Sequence, residues 1–210
     1  RPVFPTSGMS HRVNGEIALP GSDVEYQKLT YDAQAYFPLG KDFVLRGYGK
    51  LGYGNDLPFY KNFYAGGFGS VRGYDNSTLG PKYDSVYAEN TGLENFDPEE
   101  VGGNALVQFG TELALPLPFK GDWTRQVRPV LFAEGAQVFD TQCDVPTSEA
   151  SKQYCKDNFG FDVDNMRYSV GVGFTWITMI GPLSLSYAYP LNDKEGDETK
   201  NIQFEIGRTF

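Results

Sequence analysis

The chain has no run of the roughly 18 apolar residues that a membrane-spanning helix requires, although its hydrophobic content is 40%. It carries a single histidine, His11, and two cysteines, Cys143 and Cys155. Its formal net charge is −9 and no basic cluster offsets it, which argues against nucleic-acid binding. The plain reading of that charge is solubility of long loops, where Glu94, Asp97, Glu99 and Glu100, and then Asp193, Glu195, Asp197 and Glu198, collect. No lysine completes a phosphate-binding arrangement among the glycines of residues 66–73. No secretory leader is visible: Arg1-Pro2-Val3-Phe4-Pro5-Thr6 reads as a turn. An exported protein of this kind has been processed, or the chain is a fragment of something longer.

What is present is tyrosine, phenylalanine and glycine, in 210 residues that suit one domain. Alternating strands with one face on lipid and the other on water have this composition; a soluble β-sandwich has it too. Eight segments show period-two alternation. Apolar Val13, Ile17 and Leu19 alternate with Arg12, Asn14 and Glu16; Leu29, Tyr31 and Phe37 with Lys28, Asp32 and Gln34; Leu45, Leu51 and Tyr53 with Arg46, Tyr48 and Lys50. Val107, Phe109 and Leu113 oppose Gln108 and Glu112. The fifth segment, Gln126 to Phe139, has less contrast. Val170, Val172, Phe174 and Trp176, then Leu183, Leu185, Tyr187 and Tyr189, and finally Ile202, Phe204, Ile206 and Phe210 complete the set.

Short turns near 38–42, 117–124 and 179–182 alternate with longer loops near 54–103, 140–165 and 191–200. That asymmetry describes the wall of an all-β, antiparallel, up-and-down transmembrane barrel, with turns on one side and loops outside. The charges of the first four strands share one face, which spares the about 2–4 kcal/mol of a charge facing mid-bilayer lipid. Of thirteen prolines only Pro129 falls inside a proposed strand, so it predicts a bulge, weakened pairing or a later strand start. Cys143 and Cys155 share one polar loop and predict a disulfide worth roughly 3 kcal/mol at most. Metal binding is the rival, but His11 is distant in sequence.

The loop over 54–103 is far longer than the about 2–5 residues of a usual hairpin connection. Its Val71-Arg72-Gly73-Tyr74 stretch follows Gly66, Gly67 and Gly69. Glycines of this kind let a chain fold closely against something and deliver a cation there. If the loop enters the lumen, Arg72 needs carboxylates, and Glu112 and Glu134 stand on the inward parity. The alternative is a solvated arginine beside an ordinary turn glycine.

Val71-Arg72-Gly73-Tyr74-Asp75-Asn76-Ser77-Thr78-Leu79-Gly80-Pro81 resembles the motif loop of the BamA family of outer-membrane β-barrel assembly factors. Phe4 to Gly8, Pro58 to Gly67, Gly102 to Ala105 and the terminal Ile206 to Phe210 resemble the same family, so the likeness covers the whole chain. The resemblance implies a sixteen-stranded barrel of which this chain is the C-terminal half, without POTRA domains. It also implies that Arg72 pairs with Glu112 and Glu134, and that Gly207 kinks a closing strand signalled by Phe204, Ile206 and Phe210. A glycine making room for a lumenal aromatic is the other reading of Gly207. The implied function is non-enzymatic assembly and insertion of β-barrel proteins in the bacterial outer membrane, through a lateral seam at the last strand. Outer-membrane lipid, unfolded outer-membrane clients and, in the full-length protein, lipoproteins of the assembly machine are the implied partners; no cofactor or metal is implied. Whether eight strands close alone, with a second copy or only with further strands stays open.

Three rivals remain. The Arg-Gly motif also occurs in two-partner secretion transporters and TamA-type translocators. A passive outer-membrane pore would have the same wall. A barrel hydrolase would want a base beside a nucleophile, yet Ser10 and His11 point to opposite faces of any strand.

Overall fold

The computed structural model describes residues 4–19, 21, 24–83, 99–118, 126–143, 149–179, 181–194 and 196–207. Eight strands form one antiparallel sheet in chain order. They are β1 (Gly8–Ile17), β2 (Gln27–Gly40), β3 (Phe43–Asn55), β4 (Ala105–Ala114), β5 (Val127–Phe139), β6 (Arg167–Thr178), β7 (Gly181–Pro190) and β8 (Ile202–Ile206). Each strand pairs with its sequence neighbour, and β1 and β8 are the two edges. The sheet does not close on itself among the described residues. The helix α1 (Glu149–Phe159) and a 3-10 turn over Val163–Asn165 lie between β5 and β6.

Alternation decides which face meets which solvent. Leu29 is 55% exposed, Phe109 44% and Val172 50%. Tyr31, Leu51, Leu131, Phe174, Trp176, Tyr187, Phe204 and Ile206 share that face and are exposed as well. The opposite face buries Gln108, Glu112, Glu134, Ser169, Thr175, Ser184, Ser186 and Gln203. An apolar band of this extent is incompatible with water and matches a wall whose outer face touches hydrocarbon.

The low contrast of β5 has a physical cause. Its inward Ala136 and Val138 join Leu106 of β4 in a cluster with Phe63, Ala65, Val71, Tyr74 and Leu79 of the long loop. The loop therefore covers the upper inner wall with its own apolar residues, and that stretch of wall has no need of polar side chains. The loop braces itself through isolated bridges Phe63↔Gly103 and Ala65↔Leu79, and through pairing of Lys82–Tyr83 with Glu99–Glu100.

The strand ends differ from the sequence reading in three places. β1 starts at Gly8 and ends at Ile17, leaving Leu19 beyond it. Pro38, Pro182 and Pro190 also lie within strands, all towards their ends. The bulge falls not at Pro129 but at the β2 end, where the β2–β3 register slips between Pro38 and Gly40. Pro129 pairs with Phe174 in an unbroken β5–β6 register. Its carbonyl accepts the Leu115 N–H at 2.9 Å, but it has no N–H to return, and the β4–β5 register stops one pair short of it at Ala114↔Val130, so the weakened pairing falls on the β4 side.

Cys143 and Cys155 are joined, with Sγ–Sγ 2.00 Å. Both thiols are thereby withdrawn from the metal-ligand role. The nearby Asp140 carboxylate accepts the N–H groups of Gln142 and Cys143 at 2.9 and 3.1 Å. The bridge ties α1 back to the end of β5, and the Asp140 N–H donates to the Phe159 carbonyl at 2.8 Å.

Two outcomes follow from this wall. Val172→Arg, at the centre of the outer face of β6, should cost about 2–4 kcal/mol in reversible unfolding from lipid vesicles. Replacing both cysteines by serine should speed proteolysis within 140–165 and leave the far-ultraviolet β signal unchanged, since the bridge closes a loop outside the sheet.

Candidate functional site: a buried arginine on the inner wall

Two neighbouring rows of the inner wall build the site. Cross-strand pairing places Tyr36, Arg46, Glu112, Phe132, Gly171 and Ala188 in one row. Gln34, Tyr48, Gly110, Glu134, Ser169 and Pro190 form the next. Glu112 and Glu134 stand in different rows on adjacent strands, and the long loop lowers Arg72 between them.

Arg72 is 1% exposed. Its Nη2 donates to Glu112 Oε1 at 2.7 Å and to Glu134 Oε1 at 2.5 Å, and its Nε donates to Glu134 Oε1 at 3.0 Å. The Arg72 backbone N–H donates to Glu134 Oε2 at 2.8 Å. Glu134 thus fixes both the side chain and the main chain of one residue, which a lysine could not reproduce with a point charge. The guanidinium also lies over the Phe132 ring, 3.5 Å from its centroid. Burial alone would lower the Arg72 pKa; the charge and hydrogen bonds of Glu134, then Glu112, outweigh it and hold the pKa above its ordinary value.

Two further residues complete the set. Arg46 Nη1 donates to Glu112 Oε2 at 2.8 Å, so two cations face two carboxylates. The Tyr48 hydroxyl donates to Glu134 Oε1. Both lie on the wet parity of β3, which was visible in the sequence. Their partners were not, because the β3–β4 register is set across the long loop.

Glycines open the space this packing needs. A Cβ on Gly110 would lie 2.5 Å from the Tyr48 ring, which crosses that position to reach Glu134. A Cβ on Gly171 would lie 2.4 Å from Phe132, the ring beneath the guanidinium. Gly73 has φ +95°, a left-handed conformation, and a Cβ there would stand 3.2 Å from that of Ala188 on β7. The glycine turns the chain and brings it against the wall at once.

The other motif residues face different neighbours. Val71 is buried in the loop's apolar cluster. Tyr74 is buried, and its hydroxyl donates to the Tyr168 carbonyl at 3.4 Å. Burial first, then the nearby Asp197 charge, push the Tyr74 phenol up to about 12. Gln108 donates to the Gly69 carbonyl at 2.9 Å. Gly207 has φ +97° with open space where a Cβ would stand, and its N–H donates to Pro182 at 2.7 Å. Phe204 and Ile206 point outward and are exposed; Phe210 lies outside the described residues. His11 sits on the outer face, its Nδ1 2.7 Å from the Tyr31 hydroxyl.

The fold and this geometry have relatives. The Omp85 superfamily domain matches residues 1–210. The chain is 39% identical to outer membrane protein assembly factor BamA of Neisseria meningitidis serogroup B, over 99% of this chain and 27% of that protein. It is 28% identical to the mouse sorting and assembly machinery component 50 homolog, over 99% of this chain and 42% of that one. The crystal structure of BamA from Haemophilus ducreyi lacking POTRA domains 1–3 matches with a TM-score of 0.82 at 34% identity, covering 97% of this chain and 39% of that chain. The chain thus spans less than half the length of these relatives. With a lipid-facing antiparallel wall, a loop that buries its arginine on that wall and a domain match along its entire length, the chain belongs to the Omp85 superfamily.

Proposed function

We propose that this chain is the C-terminal portion of a transmembrane barrel that assembles and inserts β-barrel proteins into the bacterial outer membrane. The observation that carries this reading is the buried fork of Arg72 on Glu112 and Glu134, made by the motif loop of a chain similar to BamA along its length. In this reading the loop at 54–103 is extracellular, and its return into the lumen braces the wall while one edge stays available.

The work is done without covalent chemistry. An unfolded outer-membrane client adds its strands to an edge with free N–H and C=O groups, and main-chain hydrogen bonds supply the affinity. β8 is the edge concerned. Among the described residues its register with β7 runs from Leu183↔Ile206 to Tyr187↔Ile202, against Gly181↔Thr178 to Pro190↔Ser169 between β6 and β7. A strand so briefly paired separates at lower cost, and Gly207 in the left-handed region bends the chain at its end. Outer-membrane lipid and clients are the partners of this surface; lipoproteins of the assembly machine join them in the full-length protein. A hydrolase lacks support here, because the sole histidine faces outward beside Tyr31.

The test uses the full-length protein reconstituted in lipid vesicles and an unfolded eight-stranded outer-membrane client. Arg72→Ala leaves two acids buried without their main cation, a loss of about 3–5 kcal/mol. It should slow client folding and lower the temperature at which the barrel loses its fast-migrating form on gels. A wild-type protein that conducts ions steadily but does not speed client folding would favour the passive pore instead.

A further inference from the structure

The segment leading into β8 pairs with the motif loop. Thr199 stands opposite Tyr74 and Lys200 opposite Gly73 in a short antiparallel ladder. The Asp75 N–H donates to the Glu198 carbonyl at 2.8 Å. One step further on, Gln203 of β8 is 4% exposed, and its Nε2 donates to the Tyr74 carbonyl at 2.6 Å. Lys200 and Asp75 form an exposed ion pair at 3.3 Å, which adds little. The backbone ladder and the buried Gln203 bond are therefore the substance of the link.

We propose that the motif loop clamps the last strand, and that Gln203 is the positioning residue through which Arg72 acts on β8. Arg72 fixes the loop to β4 and β5; Gly73, turned left-handed against Ala188, brings the Tyr74 carbonyl within reach of Gln203. The top of β8 is then held by a loop anchored elsewhere on the wall as well as by β7. Separating β8 from the wall requires this clamp to open, so the state of the arginine site sets how readily the edge is released. The functional meaning of the clamp rests on the reading that clients add at β8; the clamp itself does not.

Hydrogen exchange of the full-length protein in lipid vesicles, without any client, tests it. Gln203→Leu removes the donor at similar bulk. It should speed exchange across residues 199–206 by about tenfold, the expected scale for a lost buried hydrogen bond, and leave β4 and β5 unchanged. Gln203→Met keeps nearly the same shape without the donor and should speed exchange as much as leucine, which a mere packing role would not. Arg72→Ala should loosen residues 199–206 more than β1 and β2. Unchanged exchange in Gln203→Leu or in Gln203→Met overturns the clamp, and these two variants decide the matter if Arg72→Ala does not fold. Because the readout needs no insertion, a protein that shows the coupling yet folds no client would overturn the functional reading and leave the clamp standing.

Discussion

A guanidinium with almost no exposed surface can sit inside a β-wall only where its counter-charges are already in place. The wall of this chain is arranged around that requirement. Glu112 and Glu134 rise from adjacent strands, Arg46 balances the second negative charge, and Tyr48 takes up another lone pair of Glu134. The set joins a long loop to the middle of a sheet that is lipid-facing on its other side. Without it the loop would bring a desolvated cation to the inner face, at a cost far above what its apolar contacts return.

The four motif residues divide the task among five strands. Val71 packs with Leu106 and Ala136 of β4 and β5. Arg72 forks onto the acids of those same strands. Gly73 lies against Ala188 of β7, and Tyr74 reaches the Tyr168 carbonyl on β6 and receives Gln203 of β8. A tetrapeptide can do this only because a strand wall presents rows of side chains at fixed spacing. Missing side chains matter as much: Gly110 and Gly171 leave the gaps through which Tyr48 reaches Glu134 and Phe132 reaches the arginine.

Much of this was legible from residue order. Period-two alternation identifies the strands and their faces because one face is greasy and the other wet, and a slip by one residue would invert every charge. The same parity sets Glu112 and Glu134 on the face where Arg72 is found. Spacing within one polar loop pointed to the Cys143–Cys155 bridge. What the pattern could not carry is register across long connections. Arg46 and Tyr48 were visible as wet positions, but their alignment with Glu112 and Gly110 depends on how residues 56–104 fold. The ladder between Gly73–Tyr74 and Thr199–Lys200 leaves no periodic trace, since two short pieces of loop far apart in sequence meet there. Pro129 carried its signal on one side only: the β4–β5 register stops just before it, while the β5–β6 register runs through it unbroken.

A double-mutant cycle tests the central claim most directly. Arg72→Ala and Glu134→Ala, alone and together, would be compared by reversible urea unfolding of the full-length protein in lipid vesicles. The account predicts that each single change costs about 3–5 kcal/mol and that the pair costs little more than either, because each removes the same fork and leaves the other buried charge short of its main partner. Costs that simply add would contradict it, and would mean that the arginine and the carboxylate stabilise the barrel independently.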